Sequence, residues 1–195
     1  MMRKIAMTVA ALVLVAATAQ ANVAFFPDIG LGSASAQNAA GSPLANGTYL
    51  LVLDLNNNGS QDAFTKTGGS ATSWLWDSGD LILDRGDIGV SSGVAGMAFP
   101  AANINPANYA GYSTSDHVFM LWFDKAYNAA AAGPGAGVHY GVEDLGTAPA
   151  DGGTLTVDAN GGPANLVTSP EPATLVLLAV GGAITLIRRR NRTHA

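Results

Sequence analysis

The run HVFMLWF, at His117–Phe123, is apolar at six of seven positions, whereas GTLTVDA, residues 153–159, alternates polar and apolar side chains with period two. The first pattern suits a central strand, and the second suits a strand with one face in water. Further short segments at 48–55, 73–76, 81–83, 94–99, 138–142 and 154–157 read as strands, because clusters of Gly, Asn, Asp and Pro separate them. Only 106–110 and 125–132 offer a helical turn or two. The stretch YNAAAAGPGAG reads as a long loop, since Gly133 and Pro134 stop any helix at once. Strands this short and this evenly spaced predict an all-β central domain, a β-sandwich or a jelly-roll-like fold.

The two ends follow a different pattern. Residues 1–21 run from MMRK through IAMTVAALVLVAA to TAQA, a basic start, an apolar stretch and small residues. That is the layout of a signal peptide, with its helix cut after Ala21; an uncleaved anchor helix is the alternative. Near the C-terminus, residues 173–187 hold no charge and are followed by Arg188, Arg189, Arg190 and Arg192. As a transmembrane helix these fifteen residues would rise about 22 Å, against a hydrocarbon core of about 30 Å. The basic cluster would set the topology by staying on the cytoplasmic side, which puts the central domain across the membrane.

Charge sharpens this division. Of nine basic residues, only Lys66, Arg85 and Lys125 lie between 22 and 169, against thirteen acids, which leaves that stretch at −10. Such a surface repels nucleic acid and anionic lipid, so no nucleic-acid partner is expected. Cysteine is absent, so disulfides and thiolate metal sites are excluded. Residues 159–169, rich in Gly, Ala, Asn and Pro, read as a flexible linker after an acidic domain at 22–158.

Pro170-Glu171-Pro172 stands just before the apolar stretch. Two prolines around one residue hold the backbone extended, the form in which proteases and transpeptidases bind peptides. The order of triplet, short apolar helix and arginine cluster, from Ser169 to Arg192, resembles the PEP-CTERM sorting signal. Ser169 stands where that signal often has Val. The resemblance implies export in a bacterium with an outer membrane, and passage through the inner membrane. It implies processing by signal peptidase and by an exosortase, a membrane-embedded transpeptidase-like enzyme that cuts near the triplet. It also implies an association with exopolysaccharide and biofilm at the cell surface. It says nothing of the central fold.

Inside the central domain the sharpest motif is DLNNNGSQD. Asp54, Asn56 and Asn58 alternate, Gly59 follows and Asp62 ends the run. Alternate oxygens on a curling loop converge on a hard cation, so calcium is one reading. The twelfth position is Thr65 instead of the bidentate Glu of an EF-hand, and an Asn/Gly turn without metal is the other reading. Asp77, Asp80, Asp84 and Asp87 follow closely and either add ligands or mark turns. Trp74 and Trp76 are two apart, so a strand points both to one face, as core or as a platform for sugar rings. Two histidines remain in the central domain, His117 and His139, and neither belongs to a catalytic motif. Asp116 faces away from His117 on a strand. The expectation is a non-enzymatic exported surface or matrix protein, with a carbohydrate-binding module as the alternative, and a weak glycan hydrolase acting through two carboxylates as a more remote one.

Overall fold

The structure, a computed structural model, describes residues 21–31, 34–55, 74 and 80–168. These residues are all-β. The strands are β1 (Val23–Phe25), β2 (Asp28–Ile29), β3 (Gly47–Asp54), β4 (Asp80–Ile88), β5 (Ala102–Ile104), β6 (His117–Phe123), β7 (His139–Thr147), β8 (Thr154–Leu155), β9 (Asp158–Ala159) and β10 (Leu166–Val167). Among the described residues a single 3-10 turn, Pro106–Asn108, falls inside the predicted 106–110. Asn105 caps it by accepting the Ala107 amide, and proline at its first position already has the required φ. The other helical expectation, 125–132, is bends and turns, because Gly133-Pro134 leaves no room for further hydrogen-bonded turns.

Five strands form the main sheet in the order β10-β7-β6-β3-β4, with every neighbouring pair antiparallel. β3 and β6 sit in the middle. All eight residues of β3 are buried, as are six of the seven in β6. Apolar side chains on both faces of these strands require cover on both sides, and the sheet has it. One face joins Tyr49, Leu51 and Leu53 of β3 with Val118, Met120 and Trp122 of β6. The same cluster takes in Val23 and Phe25 of β1, Ile29 of β2 and Ile104 of β5. The opposite face joins Leu50, Val52, Phe119, Leu121, Phe123 and Tyr140 with Trp74.

The covering layer is made of short pieces. β1 pairs with β5 antiparallel and with β8 parallel, and β2 pairs with β9 in parallel. Residues 94–99, expected as a strand, form turns with one isolated bridge between Ala98 and Ile29. Gly96 has φ near +78°, which no strand tolerates. The segment expected as a flexible linker is also built into the fold. Ala159 and Ala164 are buried, and β10 hydrogen-bonds to the start of β7. Polar, Gly-rich composition suggested a free stalk, but small residues are also what close packing against a neighbouring backbone needs.

Among the described residues no helix is long and apolar enough to cross a membrane. Of the expected signal segment, 1–21, only Ala21 is among them; the expected transmembrane helix at 173–187 lies outside, as do Pro170, Glu171, Pro172, Arg188, Arg189, Arg190 and Arg192.

Candidate functional site

Of the four expected calcium ligands, only Asp54 is described; Asn56, Asn58 and Asp62 lie outside. Asp54 ends β3 and is 1% exposed. In register it stands opposite Asp80 of β4 on one side and His117 of β6 on the other. Asp116, also buried, lies next to His117, and its Oδ2 accepts the Ser113 amide at 2.7 Å. Burial pushes the Asp116 carboxyl up; the Ser113 bond opposes this, and the charge of Asp54 adds to it. Carboxylates therefore converge at this end of the sheet. Among the described residues, however, no group of three or more His, Asp or Glu is placed to hold a metal ion.

Trp74 is 6% exposed, so its ring is no platform on the surface. Its Nε1 donates to the Ala131 carbonyl at 2.7 Å, its ring meets Phe123 edge-on at 5.4 Å, and the Arg85 guanidinium lies 5.3 Å from its centroid. Arg85 also donates to the Ala129 carbonyl at 2.8 Å. Indole, guanidinium and the 129–131 loop thus cover one face of the sheet together. Trp76 lies outside the described residues.

The structure pairs His117 with Asp144 instead of Asp116, Nδ1 to Oδ2 at 2.7 Å. Sequence alone does not show this partner. Asp144 is 27 residues away, and the β6–β7 register shifts between His117 and Phe119, so counting along regular strands misplaces it. The imidazole stacks on Phe119 at 6.0 Å. A carboxylate at Nδ1 fixes the orientation of the ring. The nearby hydroxyls of Ser113 and Ser115 bond each other at 2.8 Å.

A cavity of about 310 Å³ opens beside β4, lined by Tyr49, Gly86, Asp87, Ser91, Ser92 and Phe99 among others. Its floor is a consequence of glycine. A Cβ at Gly86 would lie 2.7–2.9 Å from the Tyr49 ring, so only glycine lets that ring lie across β4. The Tyr49 hydroxyl donates to Asp84 Oδ2 at 2.9 Å, and the Ala101 amide donates to the same oxygen at 2.9 Å. Burial, together with the Asp84 bond and charge, pushes the Tyr49 phenol far up, so it stays a neutral donor. One wall is Asp87, whose carboxylate accepts both the Ser91 amide and the Ser91 hydroxyl at 2.5 Å. Slight burial acts against its charge, but the Ser91 bonds win and hold its carboxyl below the usual range. The rim is Phe99, 52% exposed. Asp87 belonged to an Asp-rich run in the sequence; its only further signal is Ser91 four residues on, which suits a side-chain-closed turn.

The raised carboxyls set a pH dependence. Asp28 is pushed up first by burial, then by the bond and charge of Asp158 beside it. Asp116 and Glu143 are also raised, each mainly by burial. A raised folded value means that the folded state holds the proton more tightly. The resulting stability is full below the ordinary carboxylate values and is lost as pH rises through the raised ones. Asp87 has the opposite sign, and its contribution disappears only at still lower pH. Melting temperature should therefore rise as pH falls from the raised carboxyl values toward the ordinary ones, about 4, and Asp28→Asn should flatten that slope. A melting temperature that falls over the same interval would contradict these assignments.

Comparison with protein-family models, with curated proteins and with solved structures gives no match to this chain.

Proposed function

We propose that this chain is an exported surface or extracellular-matrix protein of a bacterium with an outer membrane, held briefly in the inner membrane and then sorted through its C-terminus. The observation that carries the reading is the order Pro170-Glu171-Pro172, uncharged stretch, arginine cluster, set opposite an N-terminal signal layout. Signal peptidase and an exosortase are the processing partners, and extracellular polysaccharide is the environment. The all-β region between the two ends supports a non-enzymatic role of binding or building. We read its architecture as a β-sandwich. The support is the cluster in which β1, β2 and β5 pack their side chains against one face of β3 and β6. Weak calcium binding by the 54–62 loop belongs to the same reading, with Asp54 at its base.

A carbohydrate-binding role is the second reading, and the cavity favours it over a hydrolase. The sorting claim is tested by mass spectrometry of the protein recovered from its own cells. The C-terminus should end near the triplet, and recovery of a chain still carrying Arg188–Arg190 would reject sorting. Glu171→Ala should leave most of the protein in the inner-membrane fraction, because the fixed carboxylate between the prolines is what the enzyme can read.

A further inference from the structure

We propose that the cavity between Asp87 and Phe99 binds one uncharged pyranose unit of a polysaccharide. This deepens the carbohydrate-binding reading and rests on it. A pyranose has an apolar C–H face and a rim of hydroxyls, so its site needs an exposed flat apolar group beside fixed polar atoms. Phe99, half exposed, supplies the first.

Asp87 supplies the second. A carboxylate has about four lone-pair directions; Ser91 fills two of them and the amides of Asp87 and Val90 also act on the group, which orients a negative wall toward which sugar hydroxyls can point. Ser92 Oγ lies next to it, held by the carbonyls of Val94 at 3.1 Å and Met97 at 3.0 Å. The loop is fixed before any ligand arrives. Gly89 donates to the Met97 carbonyl at 2.9 Å, and Gly96 donates to the Leu44 carbonyl at 2.7 Å. Binding therefore has little loop ordering to offset.

Size and charge narrow the ligand. A volume of about 310 Å³ sits at the low end of the roughly 300–1,000 Å³ typical of small-molecule sites, which suits one ring and not a buried oligosaccharide. A wall carboxylate on a domain carrying thirteen acids against three bases repels uronic acids and sulfated sugars.

The test is affinity electrophoresis of the full-length chain in mild detergent, through gels containing dextran, hydroxyethylcellulose or galactomannan, with alginate as the acidic counterpart. At least one neutral gel should retard the protein, and alginate should not. Phe99→Ala should weaken that retardation at least about tenfold. Phe99 is already half exposed, so the variant should fold, and circular dichroism melting checks this. Asp87→Asn should act in the same direction; Phe26→Ala, equally exposed but outside the cavity, should change nothing. No retardation in any neutral gel, or preference for alginate, overturns the proposal. Retardation that survives both Phe99→Ala and Asp87→Asn overturns the cavity as the site while leaving the carbohydrate-binding reading standing.

Discussion

Gly141→Ala should destabilise the domain by about 3 kcal/mol, at the upper end of the usual cost of overpacking. Trp122 of β6 stands directly opposite Gly141 of β7. A Cβ on Gly141 would lie 2.2 Å from two carbons of the indole and 2.6 Å from its nitrogen. The ring has nowhere to go. It is 4% exposed, and its Nε1 donates to the Gly162 carbonyl at 3.0 Å. Moving it would break that bond and disturb the face it shares with Met120 and Val118. For a domain of this size the cost corresponds to a fall in melting temperature of about 6–12 °C. Urea unfolding should show a lower midpoint with an unchanged slope. A loss under about 0.5 kcal/mol, the range of an ordinary surface change, would mean that the indole does not lie across Gly141.

Phe25→Ala should cost about 3–5 kcal/mol, the range for removing a fully buried aromatic ring. Phe25 is 0% exposed and belongs to the cluster that β1 shares with β3 and β6. Its strand is held by backbone pairing to Ala102–Ile104 and to Thr154–Leu155. Truncating the ring removes the cover from one face of the main sheet without touching the sheet itself. The neighbour Phe26 points the other way and is 51% exposed, so Phe26→Ala should stay within about 0.5 kcal/mol. Equal effects at the two positions would contradict the second layer. The pair has a bearing on export, because Val23 begins its strand two residues after the expected cleavage at Ala21. The proposed cut after Ala21 would leave a chain in which Val23 and Phe25, close to its start, complete the core.

The strands legible in the sequence are those whose side chains alone demand burial. His117–Phe123 is apolar from its second residue to its last, and no solvated structure hides six such neighbours. Residues 48–55 differ from the observed Gly47–Asp54 by one position at each end. β4 and β7 were legible only in part. Their side chains alone predict 81–83 and 138–142, whereas the strands run Asp80–Ile88 and His139–Thr147. The missing halves, DRGDI and EDLGT, are mostly polar and carry glycine, features that usually end a strand. Here pairing to β3 and β6 supplies the hydrogen bonds that propensity does not. β1, β2, β5, β9 and β10, of two or three residues each, are too short to carry a period; only β10 lies beside a long strand, β7, and the others pair with short strands like themselves.

The candidate site divides in the same way. Asp87 was visible as one acid among several, and Trp74 as half of an aromatic pair. Nothing local shows that Trp74 is sealed under Arg85 or that Phe99 is left outside. Tyr49 of β3 meets Gly86 and Asp84 of β4, more than thirty residues later, and that meeting depends on strand register.

By itself the sequence determined the all-β character, the acidic middle between two oppositely built ends, and the identity of the central strand. These follow from side-chain chemistry counted over short windows. The tertiary structure decided which aromatic ring is core and which is rim, which aspartate His117 takes as partner, and that residues 158–168 complete the fold. The physical reason is that burial and pairing are properties of neighbours brought together across the chain, and a single residue slip in register turns every side chain of a strand to the opposite face.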